Sequence, residues 1–273
     1  SWLYANWGLN HEKQSNIDQA INHYVKVMAK PRNFDRNDRV QRWTKGHLFP
    51  LLEKREKYVE ADKLYTKYIN DFPSESCVLQ NQADNKLFNF GDYEAAIKQN
   101  ILASKKGCHN KSDSLAVAYY LKWYASDNSN STKDGAYRQA EAMAPDDARL
   151  FYYLARSKFT SPVIESLINI GRDLSTEDRE GLTALLLAVY EDDYDAISRL
   201  VDAGADINGV SSQIKVSPLG LAVIKQNTSM VKFLVDKNAD TEVLLPNGIS
   251  IYKWAKESGH DDISHLLGDK QSI

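Results

Sequence analysis

The hydrophobic and polar positions of this chain fall into short helical runs, each closed by a break, and the runs return at a fixed distance. In the second half, Thr183-Ala184-Leu185 opens a stretch that passes through Ala188 and closes on Ala203-Gly204-Ala205-Asp206-Ile207-Asn208. About 34 residues on, Ser217-Pro218-Leu219 opens a second, with Ala222 inside it and Lys237-Asn238-Ala239-Asp240 at its end. About 33 beyond that, Ser250-Ile251-Tyr252 opens a third, with Ala255, Gly259-His260 and the run Ile263 to Leu267. Moving back from Gly204 by the same interval reaches Gly171. A period of about 33 residues marks a solenoid, whose units bury their apolar faces against one another.

Each recurring residue has a mechanical part. Thr183 and Ser217 can cap a first helix with a side-chain oxygen. Pro218 suits the first helical position, where its missing N–H is not needed. Ala188, Ala222 and Ala255 are small enough to let neighbouring helices approach, and Gly204 ends a second helix where a left-handed residue is needed, with Asn238 in that role one unit later. With Gly181, Thr183, Leu185, Ala188, Ile197, Leu200, Gly204, Ala205, Asp206 and Asn208 in place, residues of roughly 160–268 resemble the ankyrin repeat. Three departures stand out. Ala184 replaces Pro, Asp192-Asp193 replaces Gly-His, and a first repeat at about 160–175 keeps only its second helix. The truncated start and the frayed end read as caps.

The first half has a period of its own. "KYVEADKLYTKYINDFP" (57–73) carries Tyr58, Ala61, Tyr65, Tyr68 and Pro73; "FGDYEAAIKQNILASKKGC" (90–108) carries Gly91, Tyr93, Ala96 and Ala103. Gly8, Ala20 and Tyr24 repeat the theme at the N-terminus, and Tyr137, Ala140 and Pro145 close a fourth unit after the polar loop "SDNSNSTKD". Residues of roughly 1–145 resemble the tetratricopeptide repeat, a helix pair with small residues at the crossing and Pro after the second helix. Pro50 falls inside a first helix and predicts a kinked or irregular second unit. The helix "DDARLFYYLARSKF" (146–159) leads into the ankyrin-like part. The expected fold is all-α: an α-solenoid of tetratricopeptide-like helix pairs (1–159) stacked on an ankyrin-repeat solenoid (160–273), with no Gly/Pro-rich linker between them.

Composition narrows the function. A net charge of −3, with both signs mixed, gives no nucleic-acid footprint. No run approaches the roughly 18–20 apolar residues of a membrane span. Fifteen tyrosines exceed what helix packing needs and are expected as core or ridge residues of the first half, with some available to a partner. Met28 is the first methionine, so the chain is expected to begin at a cut; removal of a signal peptide and trimming both account for it.

Candidate chemistry is sparse. His260 and His265 with Asp261 and Asp262 do not have the spacing of a metal site, and no metal is expected. Cys108-His109 lacks an orienting third group for a nucleophile, and there is no glycine-rich phosphate loop. The acidic run Glu191-Asp192-Asp193 with Asp195 is either a solvated turn or a contact for a basic partner. The chain reads as non-enzymatic, with no cofactor and no small-molecule substrate.

The two cysteines say more. Cys77 lies at the start of the first helix of the third tetratricopeptide-like unit and Cys108 at the end of its second helix. The two ends of an antiparallel pair meet, so the Cα atoms can lie within the roughly 4.4–6.8 Å that a disulfide needs. A bridge places the chain in the periplasm or outside the cell; two reduced thiols place it in the cytoplasm.

Function then rests on surfaces, and both resemblances imply another protein as partner. On the tetratricopeptide-like half the inner face is expected to present Asn81, Asn85, Phe88 and Asn89, then Tyr119, Lys122 and Trp123, with amides for a partner's backbone and aromatic anchors. Ala5 and Leu9 stand where a carboxylate-clamp member of that family has Lys and Asn, which disfavours chaperone C-termini as ligands. On the ankyrin-like half the finger loops and first helices present Asp178 and Arg179, Gln213 to Lys215, Leu244 and Asn247, flanked by Tyr190, Glu191, Lys225 and Lys253. The architecture resembles that of bacterial immunity-type proteins, which neutralise a cognate secreted toxin by covering it. A secreted effector or adaptor engaging a host protein, and a periplasmic assembly scaffold, are the alternatives.

Overall fold

The computed structural model describes residues 2–30, 37–108, 113–126, 130–143, 146–157 and 161–268. His109 and Pro145 lie outside them. Among the described residues the regular structure is sixteen α-helices, with one isolated antiparallel bridge between Leu244 and Ser250. The all-α expectation holds. The chain folds as two units, Ser1–Lys111 and Ser112–Ile273.

The first unit contains α1 (Trp2–Lys13), α2 (Ile17–Met28), α3 (Asn37–Lys54), α4 (Tyr58–Asp71), α5 (Val78–Phe90) and α6 (Tyr93–Lys105), each packed on the next. Three pairs share one joint: Ser15, Glu56 and Gly91 occupy the left-handed region between α1 and α2, α3 and α4, and α5 and α6. Spacing explains α2, whose buried Ala20, Ile21, Tyr24, Val27 and Met28 recur at helical intervals along one stripe. The crossing residues have to be small. Ala20, Ala61 and Ala96 are fully buried, and a Cβ on Gly8 would sit 2.4 Å from the Tyr24 ring. Leu48, Phe49, Leu51 and Leu52 of α3 meet Tyr65, Tyr68 and Phe72 in the main core, where each full burial contributes about 1.5–3 kcal/mol.

The tyrosines have a shared habit. Tyr24 donates to Glu12 at 2.8 Å, Tyr68 to Glu75 at 2.8 Å, and, in the second unit, Tyr120 to Glu141. A tyrosine brings a large apolar ring into the packing and still delivers a donor to a carboxylate at the edge. Burial, and for Tyr24 and Tyr120 the adjacent carboxylate, push these two phenols well above their ordinary range.

Pro50 does not break α3, which runs as one α-helix from Asn37 to Lys54. The carbonyl that loses its donor belongs to Gly46, which is exposed, so water can satisfy it.

The second unit contains α7 (Asp113–Ala125), α8 (Asn130–Met143), α9 (Asp147–Arg156), α10 (Ser161–Asn169), α11 (Ala184–Tyr190), α12 (Tyr194–Asp202), α13 (Pro218–Ile224), α14 (Thr228–Asp236), α15 (Ile251–Glu257) and α16 (Asp261–Gly268). The polar stretch 126–134, expected as loop, is helical from Asn130 onward. Asn, Ser, Thr and Asp favour a helix start as much as a loop, and their polarity alone does not separate the two. The repeat expected to keep only its second helix is also fuller than that. α9 packs on α10 and on α11, as α11 packs on α13 and α13 on α15, so α9 stands in the first-helix row. Arg172 ties this region together: its guanidinium donates to Asp147, to Glu141 and, at 3.1 Å, to the Tyr120 hydroxyl. Burial opposes its charge, but the Tyr120, Asp147 and Glu141 oxygens outweigh that and hold it cationic.

Candidate protein-binding surface

The binding surface is assembled by local hydrogen bonds that repeat from unit to unit. First helices start on an oxygen cap: Thr183 accepts from the Leu186 amide at 3.3 Å, Ser217 from Gly220 at 3.1 Å and Ser250 from Lys253 at 3.2 Å. Second helices start on Asp193 and Asn227, which accept from Ala196 at 2.9 Å and Met230 at 3.0 Å. Losing such a cap typically costs about 1 kcal/mol.

The fingers are closed by backbone pairs that fix their register: Asp178 N to Leu182 O, Ser211 N to Val216 O, and Leu245 N to Ile249 O. Gly181, Lys215 and Gly248 take the left-handed position within each finger. Asp178 is buried, and its Oδ1 accepts the amides of Glu180 and Leu182 at 3.0 and 2.9 Å, so it shapes the finger from within. Ser211, absent from the sequence reading, joins two fingers by donating to the Gly181 carbonyl at 2.7 Å. Its alignment with Asp178 in the repeat was the signal that could have found it.

Among the residues these bonds leave outside, four are large and apolar. Val210 and Leu244 stand at the same place, one residue before successive fingers, and are 58% and 57% exposed. Tyr190 and Ile224 end successive first helices at the same repeat position and are 55% and 42% exposed. Leu245, next to Leu244, is tucked inside, so the pair splits into one anchor for the fold and one outward residue.

Other expected contact residues have definite places. Gln213, Lys215, Glu191, Asn247 and Lys253 are exposed, with Asn247 accepting from the Ile249 amide at 3.1 Å. Lys225 is committed to the fold. Its ammonium reaches the carbonyls of Val189 and Tyr190 and the Asp192 carboxylate at 2.8 Å, and it lies 5.3 Å from the Tyr190 ring centre. Part of the acidic run is likewise engaged internally: Asp192 also accepts from Asn227 at 2.9 Å, Asp193 caps α12 and pairs with Arg156 at 3.8 Å, and Asp195 pairs with Arg199 at 3.4 Å.

In the first unit, Asn81 is exposed and Asn89 half-buried, donating to Asn85 at 3.0 Å. Asn85 and Phe88 are buried, and the Asn85 amide donates to the Tyr58 carbonyl at 3.1 Å, so both serve the packing in this structure. Gln82 and Lys86 continue that seam, reaching Asp62 at 3.0 and 2.9 Å. In the second unit Tyr119 is buried, and burial raises its phenol. Lys122 and Trp123 are half-buried, with the Trp123 ring 5.4 Å from that of Tyr137. Cys77 and Cys108 form a disulfide with Cα atoms 5.1 Å apart, closing the α5–α6 hairpin at its open end.

Among the described residues no helix is long and apolar enough to cross a membrane, and no three His, Cys, Asp or Glu side chains are placed to hold a metal ion. What the surface offers is a row of capped helices and fingers with apolar residues outward.

Residues 180–212 match the ankyrin repeat. The match covers one complete unit, from the first finger to the start of the second, and the neighbouring units share its caps and finger closures. Similar proteins carry the same theme. The chain is 30% identical over 105 residues to the ankyrin repeat and KH domain-containing protein mask-1 of Caenorhabditis elegans, covering 38% of this chain and 4% of that protein. It is 27% identical over 109 residues to the putative ankyrin repeat protein YahD of Escherichia coli K12, covering 40% of this chain and 54% of that one. It is 32% identical over 95 residues to the BRCA1-associated RING domain protein 1 of C. elegans, covering 35% and 13%. The matches thus span about half of YahD and far less of the two nematode proteins. The ankyrin repeat is thus the feature that this chain shares with these relatives.

Proposed function

We propose that the chain is an immunity-type protein that binds a cognate secreted toxin and neutralises it by covering it. The carrying observation is that two exposed apolar positions recur in consecutive ankyrin repeats, Val210 with Leu244 before the fingers and Tyr190 with Ile224 at the ends of the first helices. Such residues, rimmed by polar ones, suit a partner's complementary apolar surface, where a few desolvated anchors supply most of the affinity. The Cys77–Cys108 bridge supports a role in an oxidising compartment, where a secreted toxin would be met.

The test starts with the intact, oxidised chain as bait in the native cell and mass spectrometry of what it retains. A retained protein that is toxic when expressed alone, and harmless when co-expressed with this chain, supports the reading. The double substitution Val210→Asp and Leu244→Asp should abolish both capture and protection while leaving the melting temperature unchanged, since both side chains are outside the core. A retained protein whose toxicity is unaffected by this chain overturns neutralisation. Capture that survives the double substitution moves the interface elsewhere.

A further inference from the structure

The N-terminal helix pair carries a cluster of rings and charges that the proposed binding surface does not use. His11 of α1 and His23 of α2 lie face to face, ring centres 5.2 Å apart and planes within 4°. Tyr4 stacks on His23 at 6.1 Å and Trp7 meets it edge-on at 5.5 Å. The Nδ1 atoms of both histidines are shielded from solvent and have no hydrogen-bond partner among the described residues.

The surrounding charges do not favour a cation there. From α2 and the residues after it, Lys26 and Lys30 lie 5.7 and 5.9 Å from the Tyr4 ring centre. From α1, Glu12 is the nearby carboxylate, but it accepts from the Tyr24 hydroxyl at 2.8 Å and faces His47 Nδ1 of α3 at 3.1 Å. An imidazolium is attracted to aromatic faces, yet the Tyr4 face already serves two lysines.

We propose that His11 and His23 form an acid-operated release for α1. Neutral, the two rings stack and hold α1 on α2. Protonated, His23 is set against the Lys26 charge and loses its neutral stack on His11, α1 lifts away, and the seam of Tyr24, Val27 and Val40 beneath Ala5 and Gly8 is uncovered.

The pH window follows from His23. Burial first, then the charges of His11 and Lys26, hold its imidazole below the ordinary value of 6.5. The detached helix therefore takes up the proton more readily than the docked one. The stability that neutral His23 adds to docking is fully present above 6.5 and is lost as pH falls below it. A seam that opens in mild acid gives the first unit a second, conditional binding face.

Amide hydrogen exchange over residues 2–13 of the intact, oxidised chain tests this, at pH 7.5 and 5.5 with intrinsic rates corrected. Protection should fall several-fold at the lower pH, with about ten-fold the ceiling for one proton, while that of α11 to α16 stays constant. His23→Phe and, separately, His11→Phe keep a stacked ring without a titrating nitrogen and should remove the change. Equal protection of the wild-type chain at both pH values overturns the proposal. So does a pH effect that persists in both Phe variants, or one that only His47→Gln removes. If neither Phe variant folds, NMR of the wild-type chain decides: docked α1 amide signals lost in step with the His23 titration support release, and a His23 titration that leaves them in place refutes it.

Discussion

Asp192 and Gln226 occupy the same left-handed turn in consecutive ankyrin repeats, with φ of 56° at each. A non-glycine residue there carries a penalty of about 1–2 kcal/mol. Asp192 offsets it by holding Lys225 and Asn227 of the next repeat, while Gln226 is exposed. Gln226→Gly should therefore raise stability by roughly 0.5–1 kcal/mol, after the greater entropy of an unfolded glycine is subtracted. Asp192→Gly should show no gain, because the relieved strain is set against two lost charge-assisted bonds. Urea denaturation of the two variants side by side checks the contrast; equal gains would mean that the Lys225 strut contributes nothing.

Glu75 gives a second prediction at the same scale. Burial alone would raise its carboxyl, but Lys45, Tyr68 and Arg42 hold it below the ordinary 4.5. The stability this supplies is present above pH 4.5 and is lost as pH falls below it. Glu75→Gln should cost roughly 1–2 kcal/mol at pH 7, and its stability curve should converge on that of the wild type in stronger acid. A constant gap down to pH 3 would refute the assignment.

At the scale of elements, the α5–α6 hairpin is held at both ends. Gly91 closes one in the left-handed region, and the Cys77–Cys108 bridge closes the other across a separation of 31 residues. A loop of that length corresponds to about 3–4 kcal/mol in the chain-entropy account. Cys77→Ala with Cys108→Ala should lose stability of that order, read from chemical denaturation without reductant. A loss under 1 kcal/mol would mean that the hairpin is held by its packing, with Leu79 and Ala103 against the bridge.

Over the whole molecule, repeats distribute stability between neighbours, so a local change should stay local. Reduction of the disulfide should speed amide exchange in α5 and α6 and leave α11 to α16 as they were. Exchange that rises together across 2–268 would show instead that the two units open as one. The same oxidised chain is the one we propose to act in the periplasm or outside the cell.

The period of small and apolar positions was enough, by itself, to determine that the chain is helical and that its second half carries ankyrin repeats. Thr183, Ser217, Pro218, Gly204 and Asn238 do their work through local backbone geometry, which a sequence carries directly. The pairing of Cys77 with Cys108 was legible for a related reason, since an antiparallel helix pair brings its ends together. Which polar residues face outward was not legible. Asn85, Phe88 and Tyr119 have the composition of a binding face, but neighbouring packing buries them, and a helix wheel does not say which neighbour covers which side. Lys225 and Asp192 likewise look like surface charges until the next repeat places them within reach of each other. The stacked His11 and His23 are the same kind of case: twelve positions separate them in the chain, and only the docking of α1 on α2 sets their rings face to face, where burial and like charge alter what a proton does.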